Sequence, residues 1–243
     1  MIGLGTIINV AGIVAAGIIG HFFGRFVKPA QQEALTKCCG LSVMFIAIAG
    51  AMQVMLKVEN GVISTGRSML IVLCLTIGTF IGEVIGIEDG FERFGEWLKR
   101  KTGNSGDGKF VNAFMTASLT VSIGAMAIVG AIQDGLLGDY TTLAVKTVLD
   151  FIIVVILTSS MGKGAVFSAI PVFVIEGGFT LLSKLIAPLM TDAATACLSL
   201  IGSILIFCIG INLVWGKTIK AANMLPALVL AVAAAFIPWS ILQ

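Results

Sequence analysis

Apolar and polar positions along this chain do not alternate; they fall into long blocks. Eight largely apolar segments can be drawn, at about 4–24, 38–56, 68–87, 110–131, 142–161, 165–187, 194–214 and 223–241. Each approaches the roughly 20 residues that an α-helix needs to cross a hydrocarbon layer about 30 Å thick. Backbone groups in lipid must bond internally, so the choice lies between helices and a closed barrel. A barrel would show alternating segments of about ten residues, and these runs are continuous. The pattern therefore predicts an all-α, polytopic transmembrane helical bundle of about eight spans. Only Met161, Gly162, Lys163 and Gly164 separate the fifth and sixth segments. That spacing fits either a tight hairpin or a broken, re-entrant element.

The polar connections give an orientation. Eleven of the fifteen basic residues lie in the first, third, fifth and seventh connections: Arg25, Lys28, Lys37, Arg93, Lys99, Arg100, Lys101, Lys109, Lys163, Lys217 and Lys220. Lys57, Arg67, Lys146 and Lys184 fall on the other side, where the fourth connection carries Asp134 and Asp139. By the positive-inside rule the first set faces the cytoplasm and both termini face away from it. The longest polar stretch, 88–109, places Phe91, Phe94, Trp97 and Leu98 at helical spacing among charges. It reads as an interfacial helix on the cytoplasmic face, followed by a flexible linker.

Composition agrees with burial in lipid. Hydrophobic residues make up 58% and charged residues 12% of the 243, with a mean hydropathy of +1.07. Soluble domains run near 45–50% apolar and about 25% charged. The net charge of +2 comes without a basic tail, so nothing suggests nucleic acid as a partner. Five cysteines include no CxxC pair and read as small hydrophobes in the spans. The N-terminus has no basic n-region or A-x-A-type cleavage signal and reads as a retained first span. No Walker A, HExxH or GxSxG pattern is present, which argues against an enzyme and against ATP-driven pumping. No cofactor is implied, and a single His offers no histidine-rich metal site, so any metal is unspecified.

The chain also resembles itself. Phe22-Phe23-Gly24-Arg25-Phe26 follows span one, and Phe91-Glu92-Arg93-Phe94-Gly95 follows span three. Small-residue patches recur as Gly50-Ala51-Met52, Gly124-Ala125-Met126 and, more loosely, Gly202-Ser203-Ile204. Lys146 and Lys220 then each lead into a later span. One membrane domain, 1–243, would thus divide into a partial repeat at 1–67, spans three to five at 68–161, and spans six to eight at 165–243. The two triplets enter from opposite sides, as in the inverted repeats of many transporters.

Ionisable groups within apolar runs are the sharper clue, because charge at mid-bilayer is costly and faces protein or water. Glu176 lies near the middle of span six, beside Gly177 and Gly178, where a helix break could hold a cation or proton. Asp150 follows Lys146 by one helical turn, so the two can pair. Glu83 and His21 lie near span ends, where interfacial solvation accounts for them. Asn112, Thr116 and Thr120 share one face of span four and could replace part of a solute's hydration shell. Together with Glu176, Asp150 and Lys146 they make the candidate pathway. Gly20 and Gly24 in span one, and Gly78, Gly82 and Gly86 in span three, form small-xxx-small faces for helix packing, within one chain or across a homodimer. Asn9 and Thr6 add polarity to span one, while Asn212 and Asn223 bracket the last connection. Pro171, Pro188, Pro226 and Pro238 promise kinks in the final three spans.

The stretches FVNAFMTASLTVSIGAMAIVGAIQDGLLGDYTTLAVKTVLD (110–150), MGKGAVFSAIPVFVIEGG (161–178) and INLVWGKTIKAANMLPALVLA (211–231), with the LGTIINVAGIVAAGIIG opening, resemble the YqgA/YdfK-like family of bacterial integral-membrane proteins. The resemblance covers essentially the whole chain and implies a bacterial inner or plasma membrane location. It is a family of unknown function, so the resemblance brings no substrate and no site residues. Two functional classes follow from the residues: a small-solute or ion transporter or channel with a site near the bilayer midplane, or a non-transporting scaffold or accessory subunit. Its partners would be the lipid bilayer and the unknown solute or ion.

Overall fold

The computed structural model describes residues 2–59, 62–123 and 125–237. Eleven α-helices are described: α1 (Leu4–Gly24), α2 (Pro29–Met55), α3 (Ser68–Ile85), α4 (Ile87–Lys101), α5 (Phe110–Ser122), α6 (Ala125–Leu137), α7 (Thr141–Met161), α8 (Ala169–Leu181), α9 (Ser183–Ile186), α10 (Asp192–Trp215) and α11 (Pro226–Ala234). Two 3-10 segments, Lys163–Ser168 and Ala221–Met224, lead into α8 and α11. Six helical stretches are long and apolar enough to cross a membrane: α1, α2, α3, α7, Lys163–Leu181 and α10. Segments five and six are both among them, each long and apolar enough to cross by itself.

The sequence segments and the helices differ in three instructive ways. Helix α2 starts at Pro29, well before the apolar run, because proline at the first helical position has no N–H to lose and is preset in φ. Segment four is not one helix but α5 and α6, bent by 60°. Ile123 between them is extended, and Gly124, part of a small-residue patch above, lies outside the described residues, as does Pro238. Helix α8, by contrast, runs unbroken through Gly177 and Gly178, so the break expected beside Glu176 lies in α5–α6 instead. A short antiparallel hairpin, β1 (Leu56–Glu59) with β2 (Val62–Thr65), also interrupts the all-α expectation. Its strands flank Asn60-Gly61 in the sequence, a pair that favours two-residue hairpins.

The bundle has two chemically distinct ends. Arg25, Lys109, Lys163 and Lys217 lie at the basic end. At the opposite end the start of α1 meets α6, through bonds from Gly3 and Gly5 to Asp134. The start of α5 packs on the 3-10 segment before α8, where a Cβ on Gly164 would strike the Phe110 carbonyl. The far part of α6 packs on the α8–α9 end, where a Cβ on Gly135 would strike the Thr180 carbonyl. Lying along α8 in this way, the bent pair runs from one end of the bundle to the other.

Glycine sets the closest approaches. A Cβ on Gly20 would sit 2.6 Å from the Val155 carbonyl oxygen of α7, and one on Gly24 2.9 Å from that of Ser159. Gly78 meets Ala227 of α11, and a Cβ on Gly82 would overlap the Asn223 carbonyl. Both glycine faces are thus occupied within the chain. Gly86 is different: it sits at φ +71° between α3 and α4, a left-handed turn that lets the chain leave the span. Helix α4 then buries Glu88, Gly95 and Leu98 and leaves its charged side out.

Gly20→Ala and Gly82→Ala should therefore each destabilise the fold by roughly 1–3 kcal/mol through overpacking. Gly90→Ala, where a Cβ would meet nothing within 4 Å, serves as the control. Unfolding midpoints of purified protein in detergent check this; equal midpoints for all three would refute the close-packing account.

Candidate functional site

Four elements converge on one ammonium. Lys146 on α7 donates to the Val121 carbonyl at the end of α5, at 2.6 Å. It also pairs with Asp150 one turn along α7, and lies 3.4 Å from Oε1 of Glu176 on α8. Asn9 of α1 completes the ring: its Nδ2 donates to Asp150 Oδ2 at 3.1 Å and to Glu176 Oε1 at 2.8 Å. With two carboxylate acceptors on one side, the amide nitrogen must face them. All four side chains are buried, Glu176 and Asn9 completely.

The Val121 bond explains why the lysine sits there. A helix that stops inside the bundle leaves its last carbonyls without intrahelical partners. In a dry interior each such group is expensive unless a donor reaches it. The Lys146 ammonium supplies that donor, and its charge suits the negative end of the α5 dipole.

One turn away, toward the opposite end, the hydroxyls of Thr6 and Thr180 bond to each other at 3.2 Å. Beyond them, buried Asp134 of α6 accepts from the Gly5 N–H at 2.9 Å and the Gly3 N–H at 3.2 Å. A carboxylate from another helix thus caps α1, supplying the acceptor that Gly3 lacks as a capping residue.

The candidate residues of span four part company here. Thr120 lines a cavity of about 410 Å³ that Lys146 and Asp150 also line, and its hydroxyl donates to the Thr116 carbonyl. That cavity is mostly apolar and lies between α2, α5–α6, α7 and α10. Asn112 and Thr116 instead line a cavity of about 190 Å³ at the basic end, beside Glu88 and Lys217. Asn112 also borders a wider basic-end cavity of about 690 Å³ with Lys37 and Lys109. One helix therefore walls both a cavity at the basic end and the deeper one.

A second polar group lines the side of the basic-end cavity. Lys217 pairs with Glu88 at 2.8 Å and with Glu92, while the Glu88 N–H donates to Asn223 Oδ1 at 2.7 Å. Partial burial works against the charge on Lys217, but Glu88 and Glu92 outweigh it and hold its ammonium above the usual lysine value. Lys220 and Glu83 pair in the open at 3.0 Å. His21 lies near Arg25 at the basic end.

Asn9, Asp134 and the Val121 carbonyl were not among the residues the sequence singled out as a site. An amide in the second turn of the apolar run 4–24 was the available signal for Asn9. Asp134 read as a loop acid, and no side-chain pattern marks a backbone carbonyl. Among the described residues no group of three or more His, Cys, Asp or Glu is placed to hold a metal ion.

An apolar bundle with a buried charge cluster at a broken helix defines a multi-pass helical membrane protein. The chain belongs to a family described as proteins of unknown function (DUF554), whose model matches residues 4–236. It is similar to the "Uncharacterized membrane protein YdfK" of Bacillus subtilis (strain 168), 27% identical over 226 residues that span 93% of each chain. It is also similar to the "Uncharacterized protein YqgA" of Escherichia coli (strain K12), 25% identical over 242 residues, 97% of this chain and 98% of the relative. No solved structure matches.

Removing one partner from a buried ion cluster leaves the others uncompensated. Lys146→Met should cost roughly 3–5 kcal/mol of stability, and adding Asp150→Asn and Glu176→Gln should recover most of it. Denaturant titration of the single and triple variants tests this coupling. Strict additivity would show that the three groups do not act as a unit.

Proposed function

We propose that this protein is a secondary transporter or channel for a small solute or ion in the bacterial cytoplasmic membrane, and not an enzyme. The buried Lys146–Asp150–Glu176–Asn9 cluster at the α5–α6 break carries the reading. Intramembrane charges held beside an interrupted helix are the arrangement that transporters use for solutes and coupling ions. The basic end is cytoplasmic, both termini are on the other side, and α5–α6 and α11 complete eight crossings. No cofactor is required.

The pathway enters among Asn112, Thr116 and Lys109, follows α5, and reaches Thr120, Lys146 and Asp150. Internal duplication supports this reading in a form that differs from the inverted triplets. Helix α7, Gly162 at φ +109°, Lys163, a 3-10 segment and α8 with Pro171 match α10, Gly216 at φ +86°, Lys217, a 3-10 segment and α11 with Pro226. These are two hairpins of the same direction, so we read the repeat as direct and two-helical. Because the glycine faces are filled internally, a homodimer would use the exposed apolar side chains instead.

Flux assays in proteoliposomes test the proposal. Wild-type protein should pass an ion or small metabolite, and Glu176→Gln and Asp150→Asn should each cut that flux while the protein remains folded in detergent. If the wild type passes nothing and both variants leave the cellular phenotype intact, the scaffold reading takes its place.

A further inference from the structure

Donors and acceptors in the buried cluster do not balance, and the imbalance identifies what the site binds. Lys146 has three N–H groups: the Val121 carbonyl and Asp150 accept from two, and the third is left to the ion pair with Glu176 Oε1 at 3.4 Å. Asn9 has two, and both carboxylates take them. Left over, buried and without a partner, are two acceptors: Glu176 Oε2 and Asn9 Oδ1. Charge is out of balance in the same direction. With every group ionised, one ammonium faces two carboxylates, and a net negative charge buried within the bundle is costly.

We propose that the cluster binds one exchangeable proton, that Glu176 carries it on Oε2, and that it exchanges with the non-cytoplasmic side through the Thr6–Thr180 hydroxyl pair. The proposal rests on the transport reading for its purpose, not for its chemistry. A single proton balances both counts: it neutralises the surplus charge and leaves one donor, the Glu176 O–H, against one acceptor, Asn9 Oδ1. A sodium or calcium ion would need a shell of several oxygens, six to eight for calcium. Only two unpartnered side-chain acceptors stand in this cluster among the described residues.

The surroundings of Glu176 restrict what else could compensate it. Helix α1 presents Asn9 and Thr6, both neutral, and α5 presents the Val121 carbonyl. Helix α7 presents Lys146 and Asp150, which are already paired. Asp134 of α6 is engaged at the start of α1, and Lys163 lies at the basic end. Access follows from helical spacing. Thr180 lies one turn beyond Glu176 on α8, and Thr6 one turn before Asn9 on α1, on the side toward Asp134. A hydroxyl both donates and accepts, so each member of the bonded pair can take a proton on its oxygen as it releases its own O–H proton to the next acceptor, and then rotate to reset.

Infrared difference spectra of the purified protein in lipid, recorded between acid and alkaline pH, read protonation without any flux. The wild type should show one protonated-carboxyl carbonyl band that disappears on alkalinisation, is absent in Glu176→Gln and persists in Asp150→Asn. Thr180→Val should keep the band but slow its exchange after a pH jump by about tenfold or more, as expected when a positioned proton carrier is lost. A band that survives in Glu176→Gln, or is lost instead in Asp150→Asn, overturns the assignment. So does sodium chloride abolishing the band at constant pH. An unchanged exchange rate in Thr180→Val overturns the route. Because the spectra need no transported substrate, a silent flux assay beside a Glu176-dependent band would sink transport and leave the proton site standing.

Discussion

The bond from the Lys146 ammonium to the Val121 carbonyl is the constraint on which the centre of this bundle depends. A helix that ends in mid-bundle needs a donor, and the donor used is charged. The charge needs a carboxylate, supplied one turn away by Asp150, and a second, Glu176, comes from α8. Asn9 then fastens α1 to both acids. One interrupted helix thus fixes the mutual rotation of α1, α5, α7 and α8, because each must present one polar atom to one small volume. Apolar packing alone specifies rotation weakly, since one leucine can stand in for another; a satisfied polar network does not permit that exchange.

The rest of the fold keeps those four elements close enough for the network to exist. Glycines bring α1 against α7 at van der Waals contact, which is what allows the short side chain of Asn9 to reach across to Asp150. Asp134 holds the start of α1 by its backbone N–H groups, fixing the helix along its axis as well as about it. At the other end the Lys217–Glu88–Glu92 group and the Asn223 bond tie the approach to α11 onto α4. The molecule is therefore tight at the end where α1 begins. Its described polar cavities lie toward the basic end.

Much of this was legible in the residues. Apolar run length located the spans, and the one-turn spacing of Lys146 and Asp150 placed them as a pair. The glycine stripes of the first and third runs marked close contacts, although their partners, α7 and α11, are remote in sequence. The broken helix was expected beside Glu176, since a glycine pair adjoins it. Yet Gly177 and Gly178 are accommodated in a continuous helix, while the run 110–131, rich in Thr and Ser, bends. Hydroxyl residues can bond back to their own helix, as Thr120 does, so their effect depends on what lies opposite. Asn9 was visible but had no role until α7 and α8 were laid beside it. The Val121 carbonyl could not be read at all, because every residue carries one.

The two like hairpins sharpen what the charges mean. Counted back from the glycine that ends each long helix, Lys146 and Asp150 of α7 correspond to Leu200 and Ile204 of α10. Glu176 of α8 corresponds to Leu230 of α11 by the same count, and to Ala231 when Pro171 is laid on Pro226. On that proposed pairing the charged residues occur in one copy only. If the charges merely held such a hairpin together, both copies would need them; the α10–α11 hairpin packs with leucine and isoleucine at those positions. The lysine, the two acids and the cost of burying them are therefore not requirements of a hairpin of this kind by itself; it is the interrupted helix beside α7–α8 that calls for the lysine. They belong to what the α7–α8 hairpin does beside the broken helix, and the chain has one such place among its described residues.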